Sequence, residues 1–242
     1  MDGASGPADG RFGGARRPRI RLSPRGRASV LLACVVLCGQ VAAAGWFRSR
    51  PSPRESERPR RPRTDYIILH TTEGPALGSY RKLFQNGEAH FLVDCDGRVY
   101  TIIRRDKVAY HAGRSMWNGV QNIDLCAIGI EAVGYYDGAL TDAQCAALRR
   151  LLDLLKRAYG ISDDRVLTHS MVAYGGANRW FSQAHRGRKR CGMLFANPSI
   201  RVRIGLHSQP SFDPDVAAGM LTVGDVYLAR MLYPASPLPR RR

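Results

Sequence analysis

Val166-Leu167-Thr168-His169 opens a stretch that continues through a long glycine-containing loop to Arg188-Lys189-Arg190-Cys191-Gly192. A short β-branched and apolar run ending on a histidine reads as a strand that presents an imidazole from a rigid edge. A cysteine brought back beside it supplies a thiolate, and the two together are part of a zinc-type donor set. A second strand end of the same kind lies far upstream, where Ile67-Ile68-Leu69-His70 passes into Thr71-Thr72-Glu73-Gly74-Pro75, whose Gly-Pro marks a turn. Two histidines and one cysteine leave a fourth position open for water, as a catalytic zinc requires. The plain alternative is two strand-end histidines and an inert buried cysteine with no metal.

Between the two histidines, strands alternate with helices. Leu77 to Phe84 reads as a short helix stopped by Asn86-Gly87. His90 to Asp94 and Arg98 to Ile102 alternate around Asp96-Gly97, a hairpin signal. His111-Ala112-Gly113 follows in a loop, then a buried strand over Ala127 to Val133. Thr141-Asp142-Ala143-Gln144 is a capping box opening a helix whose Leu148, Leu151, Leu152, Leu155 and Tyr159 share one face, closed by Gly160. The pattern predicts an α/β domain with a central mixed β-sheet flanked by helices. Beyond Ile200 it thins, with one or two helices expected in Val216 to Leu232.

The 242 residues are 44% hydrophobic and 24% charged, enough for one domain with tails. Residues 1–27 are rich in Gly, Pro and Arg without periodicity and are expected to be disordered. Residues 28–47 are apolar behind a basic flank and contain Ala42-x-Ala44, which fits a secretory signal or an uncleaved membrane anchor. Residues 48–64 read as an extended Pro/Arg linker that does not pack, so folding is expected to begin near Asp65, with a domain over 65–205 and a C-terminal extension over 206–242. The net charge of +17 is concentrated in these tails and linkers, which argues against a nucleic-acid face and leaves a polyanionic wall or membrane surface as a partner. Export to the periplasm or cell envelope, as a monomer, is the expectation. Outside the apolar segment, Cys95, Cys126, Cys145 and Cys191 are too few for a disulfide scaffold.

Glu131 interrupts an otherwise apolar strand, and a carboxylate there needs a partner or a task. It reads either as an edge-facing glutamate or as a general base whose pKa is raised by partial burial. Lys189, two residues before Cys191, reads either as a group that stabilises an oxyanion or as part of a solvated basic run, the reading given to Arg186, Arg188 and Arg190.

These pieces resemble the type 2 N-acetylmuramoyl-L-alanine amidases, relatives of peptidoglycan recognition proteins and phage amidase-type lysozymes. The resemblance rests on Ile67-Ile68-Leu69-His70-Thr71-Thr72, Ala89-His90-Phe91, His111-Ala112-Gly113-Arg114-Ser115, Ile128-Gly129-Ile130-Glu131, Thr141-Asp142-Ala143-Gln144, Leu167-Thr168-His169-Ser170 and Lys189-Arg190-Cys191-Gly192, in the family's order. It implies one zinc ion held by His70, His169 and Cys191, with Glu131 and Lys189 as catalytic groups. It also implies a groove across the metal in which His111, Trp117 and Asn118 contact the glycan or stem peptide. The implied activity is hydrolysis of the amide between N-acetylmuramic acid and L-alanine in peptidoglycan or muropeptides; the alternative is a noncatalytic peptidoglycan-binding module.

The chain departs from the family's pattern in places. Ala89 stands where some members have a catalytic tyrosine, and Asp124 and Ala127 stand where an asparagine and a serine are common. The loop 170–188 is long and carries Tyr174, Trp180 and His185; His185 is either a substitute ligand or a hydrogen-bonding loop histidine, and Trp180 is expected to pack the loop onto the domain.

Overall fold

The computed structural model describes residues 45–234; the readings made for 1–27, for 28–44 and for 235–242 lie outside the described residues. In chain order the elements are β1 (Phe47–Ser49), β2 (Tyr66–Thr71), α1 (Ala76–Asn86), β3 (Phe91–Val93), β4 (Val99–Thr101), β5 (Met116–Trp117), β6 (Val120–Gln121), β7 (Ala127–Ala132), α2 (Asp142–Tyr159) and β8 (Val166–Thr168). After these come α3 (His169–Val172), β9 (Tyr174–Gly175), β10 (His185–Arg186), α4 (Pro198–Arg203), α5 (Pro214–Ala217), β11 (Thr222–Val223) and α6 (Val226–Leu232).

Six strands form one sheet in the order β1-β4-β3-β7-β2-β8, parallel except where β4 turns back against β3. This is the mixed sheet expected from the pattern. Period-2 alternation divides its faces. Ile67, Leu69, Ile128 and Ile130 join Leu148, Leu151, Leu152 and Leu155 of α2 in the main core. Those four leucines are at most 1% exposed, and burial of each contributes about 1.5–3 kcal/mol. α2 carries the expected capping box at Thr141 and Gln144 and ends at Gly160 with φ 65°. On the opposite face, Ile68, Ala127 and Leu167 pack with Met171, Val172, Leu228 and Leu232. His70 follows the parity of Ile68, and Glu131 that of Ala127, so both project from this second face.

Two boundary expectations are corrected. Residues 48–64 are not a loose linker, because β1 adds to the sheet edge and the arginines beyond it find acceptors. Trp46 and Phe47 pack on the core, with Phe47 5.9 Å from the Phe91 ring, so they belong to the folded body rather than to a signal or anchor. Arg61, 9% exposed, donates to the carbonyls of Arg105, Lys107 and Ala127 and to Thr64 Oγ1. An aliphatic stem with a five-donor head is well suited to such burial, which a count of charges does not reveal. Residues 206–234 are likewise no appendage, since Leu228, Leu232 and Tyr233 complete the second core. Arg186 there forms ion pairs with Asp213 and Asp215, each 2.6 Å long. The four described cysteines are all unpaired.

Candidate metal centre

The site lies along the carboxyl ends of β2, β7 and β8, the rim where open α/β sheets place their ligands. His70 and Glu131 are register partners in β2 and β7, and Leu69 pairs with Thr168, so His169 follows at the same rim. Thr168 caps α3 by accepting from the Met171 N–H, which sets the direction of His169. Cys191 arrives through a close backbone approach at Gly192, which has φ 73° and donates to Thr71 Oγ1 at 2.8 Å. A Cβ at Gly192 would lie 2.3 Å from the Leu69 carbonyl oxygen, so only glycine allows the chain in.

One donor atom each from His70, His169 and Cys191 lie within 4.8 Å of one another. Cys191 Sγ is 3.7 Å from His70 Nδ1, and sulfur and nitrogen sharing one tetrahedral zinc ion stand about 3.6 Å apart. Burial lowers the pKa of His70 well below the usual imidazole range, helped by His169 and His111, and lowers that of His169 to about 4. Both rings are therefore neutral and able to donate a lone pair. Burial, with Glu131 next, pushes the Cys191 thiol above its ordinary value. Burial also pushes the Glu131 carboxyl well above its ordinary value, with Lys82 opposing and Glu88 and Glu73 adding. Glu131 Oε1 is 3.7 Å from His70 Nδ1, but a neutral ring makes this no ion pair. His169 Nδ1 and Glu131 Oε2 are buried without a partner. Unpaired buried polar atoms are costly, so a cluster of neutral imidazoles, one thiol and one carboxyl fits a divalent cation at its centre.

The cluster opens into a cavity of about 380 Å³, further lined by Glu73, Lys82, Tyr110, Arg188 and Lys189. Lys189 is exposed there. His111 lines the cavity, but its side chain is 0% exposed. Trp117 and Asn118, expected in the groove, do not line it. Trp117 is buried in the second core with the Arg186 guanidinium 6.0 Å from its ring centroid. Asn118 and Gly119, with φ 50° and 76°, form the two-residue turn between β5 and β6, and the Asn-Gly pair is itself a hairpin signal. His185 is not a ligand; it pairs in β10 and stacks on Phe181 at 3.9 Å, between Gly175 and Gly224, where a Cβ would strike it. Trp180 does not pack the loop down, being 72% exposed with Arg179 over its ring.

The family model for N-acetylmuramoyl-L-alanine amidase matches residues 59–191. The chain belongs to the type 2 N-acetylmuramoyl-L-alanine amidase family. Among curated proteins it is similar to the 1,6-anhydro-N-acetylmuramyl-L-alanine amidase AmpD of Haemophilus influenzae, 34% identical over 86 residues that cover 35% of this chain and 47% of that one. The AmpD of Enterobacter cloacae is 28% identical over 153 residues, covering 53% of this chain and 82% of that one. For the other curated relatives the match spans about half or less of their own length. Among solved structures, the N-acetylmuramoyl-L-alanine amidase LysC of Clostridium intestinale aligns with a TM-score of 0.49 at 16% identity, covering 66% of this chain and 97% of that one.

Proposed function

We propose that the chain is a zinc-dependent hydrolase that cleaves the amide between N-acetylmuramic acid and L-alanine in peptidoglycan or muropeptides. The observation that carries the proposal is the convergence of His70, His169 and Cys191 beside Glu131, whose Oε2 has no partner. Similarity to proteins named 1,6-anhydro-N-acetylmuramyl-L-alanine amidases supports the substrate class.

His70, His169 and Cys191 would hold the zinc ion, which would supply Lewis acidity to polarise a carbonyl and to bring the pKa of water toward about 7. Glu131, whose burial raises its pKa well above the ordinary carboxylate value, takes the proton of the attacking water and returns it to the departing alanine nitrogen. Lys189, one of the cations at the cavity wall, stabilises the developing oxyanion in this reading. Tyr110 and Lys82 give the same cavity an aromatic and a cationic contact for the substrate.

The test is incubation of the full chain with muropeptides, followed by mass spectrometry. Release of free stem peptides is expected, and Glu131→Gln is expected to keep its metal while losing about 10²–10⁴-fold in rate. Binding without release would instead mark a noncatalytic wall-binding module.

Export is part of the proposal. It is supported by the arginine-flanked apolar run ending at Ala42-x-Ala44, and by Trp46 and Phe47 belonging to the folded body. Among the described residues no helix is long and apolar enough to cross a membrane. N-terminal sequencing of envelope-fraction protein should read from Gly45; a chain retained in the cytoplasm at full length would refute export.

A further inference from the structure

Both imidazoles of the cluster are held from behind by two consecutive residues, and one carboxylate holds those two. His70 Nε2 lies 3.0 Å from His111 Nδ1, and His169 Nε2 lies 3.1 Å from the Ala112 carbonyl oxygen. Asp124 Oδ1 accepts from the backbone N–H of His111 at 3.0 Å and of Ala112 at 2.8 Å. Asp124 is 2% exposed, out of reach of any substrate.

The proton positions follow from the partners. A carbonyl only accepts, so His169 carries its proton on Nε2 and leaves Nδ1, the buried unpartnered atom, with its lone pair toward the cluster. His70 Nδ1 faces Cys191 Sγ and Glu131 Oε1, each at 3.7 Å. In the zinc reading Nδ1 keeps its lone pair for the metal, so the proton sits on Nε2 and is donated to His111 Nδ1. His111 in turn carries its proton on Nε2, which has no hydrogen-bond partner and stands 3.6 Å from Asp124 Oδ1, so Asp124 holds this residue through its backbone N–H. The ring cannot slide away on its inner side, because it lies over Gly129, where even a Cβ would come within 2.4 Å. Partners behind metal-binding histidines fix the tautomer and the ring direction.

We propose that Asp124 is a positioning residue for both histidine donors, acting on His70 through the His111 side chain and on His169 through the Ala112 carbonyl. The inference rests on the zinc reading above and deepens it. It also gives His111 a task other than contact with substrate. A carboxylate that merely capped the loop would leave the metal unaffected, and this separates the two roles.

The experiment measures the zinc dissociation constant of the full chain by competition with a chromophoric chelator, and the visible spectrum of its cobalt(II)-substituted form. Asp124→Ala is expected to weaken zinc by about 10–100-fold and to change the cobalt bands, with far-UV circular dichroism unchanged. Asp124→Asn keeps an acceptor oxygen for the two N–H groups and is expected to stay close to wild type. His111→Ala, which leaves the Asp124 to Ala112 contact in place, is expected to weaken zinc as well. Wild-type affinity and spectrum in folded Asp124→Ala would overturn the proposal. So would an Asp124→Asn variant as weak as Asp124→Ala, and, should Asp124→Ala fail to fold, wild-type affinity in His111→Ala. A wild-type chain that takes up no zinc would overturn the parent reading instead, which is a different result.

Discussion

Replacing Gly129 with alanine tests how tightly the sheet and the metal-facing histidines are joined. The added Cβ would lie 2.4, 2.5 and 2.8 Å from three atoms of the His111 ring. An ordinary contact between carbons needs about 3.5 Å, so the ring has to recede by about 1 Å. A shift of that size away from His70 would stretch the 3.0 Å contact with His70 Nε2 to near 4 Å, which is no hydrogen bond. Overpacking of this kind costs about 1–3 kcal/mol. For a domain of this size each kcal/mol lowers Tm by about 2–4 °C, which gives a fall of roughly 2–12 °C. Thermal unfolding followed by circular dichroism reads the stability, and chelator competition reads the metal. The double variant Gly129→Ala/His111→Ala removes the ring that the methyl strikes, so the two changes should couple by about 0.5–3 kcal/mol in the recovering direction. A Gly129→Ala chain with wild-type Tm and zinc affinity would refute the reasoning, as would strict additivity in the double variant.

Arg186→Ala strips the buried partner from Asp213 and Asp215 and is expected to cost about 3–5 kcal/mol in urea unfolding; a loss under about 1 kcal/mol would mean the ion pairs are not the anchor of the C-terminal segment. Cys191→Ser is expected to lose zinc binding and amide hydrolysis together, and a fully active serine variant would remove the metal mechanism. Burial raises the Asp163 carboxyl, but the Lys156 ammonium and the His207 backbone N–H outweigh it and hold the pKa below its usual 3.8. A carboxyl held low contributes fully above its unfolded value and loses that contribution as pH falls through the native value, so Asp163→Asn should flatten the acid limb of the stability curve below about pH 4. An acid limb identical to wild type would show that the pair contributes nothing.

The elements that position the site were legible because periodicity and punctuation agree at each of them. Ile67 to Leu69 and Val166 to Thr168 end on histidines at matched register, and Thr141, Gln144 and Gly160 mark both ends of the long helix. Glu131 stood out because a charge in a buried run needs an explanation, and it faces the same donors as Cys191. Composition misled where a long side chain was counted as solvated. Arg61 is an interior hydrogen-bond donor, and Arg186 is an interior cation rather than part of a wet basic run. A motif matched to a family carries residue types but not side-chain directions, which is why Trp117 turned out to be core and Asn118 a turn residue. Asp124 was visible only as a departure, since its action runs through two backbone N–H groups that no spacing announces.

The sheet is bounded on each side by a strand of three residues. On one side, Phe47–Ser49 carries Arg48, and Arg50 and Pro51 follow at once; on the other, Val166–Thr168 runs directly into a helix. Such borders offer a stranger little bare backbone to zip onto, and charge and proline repel it further. A protein so hemmed can be concentrated without its sheets growing into one another.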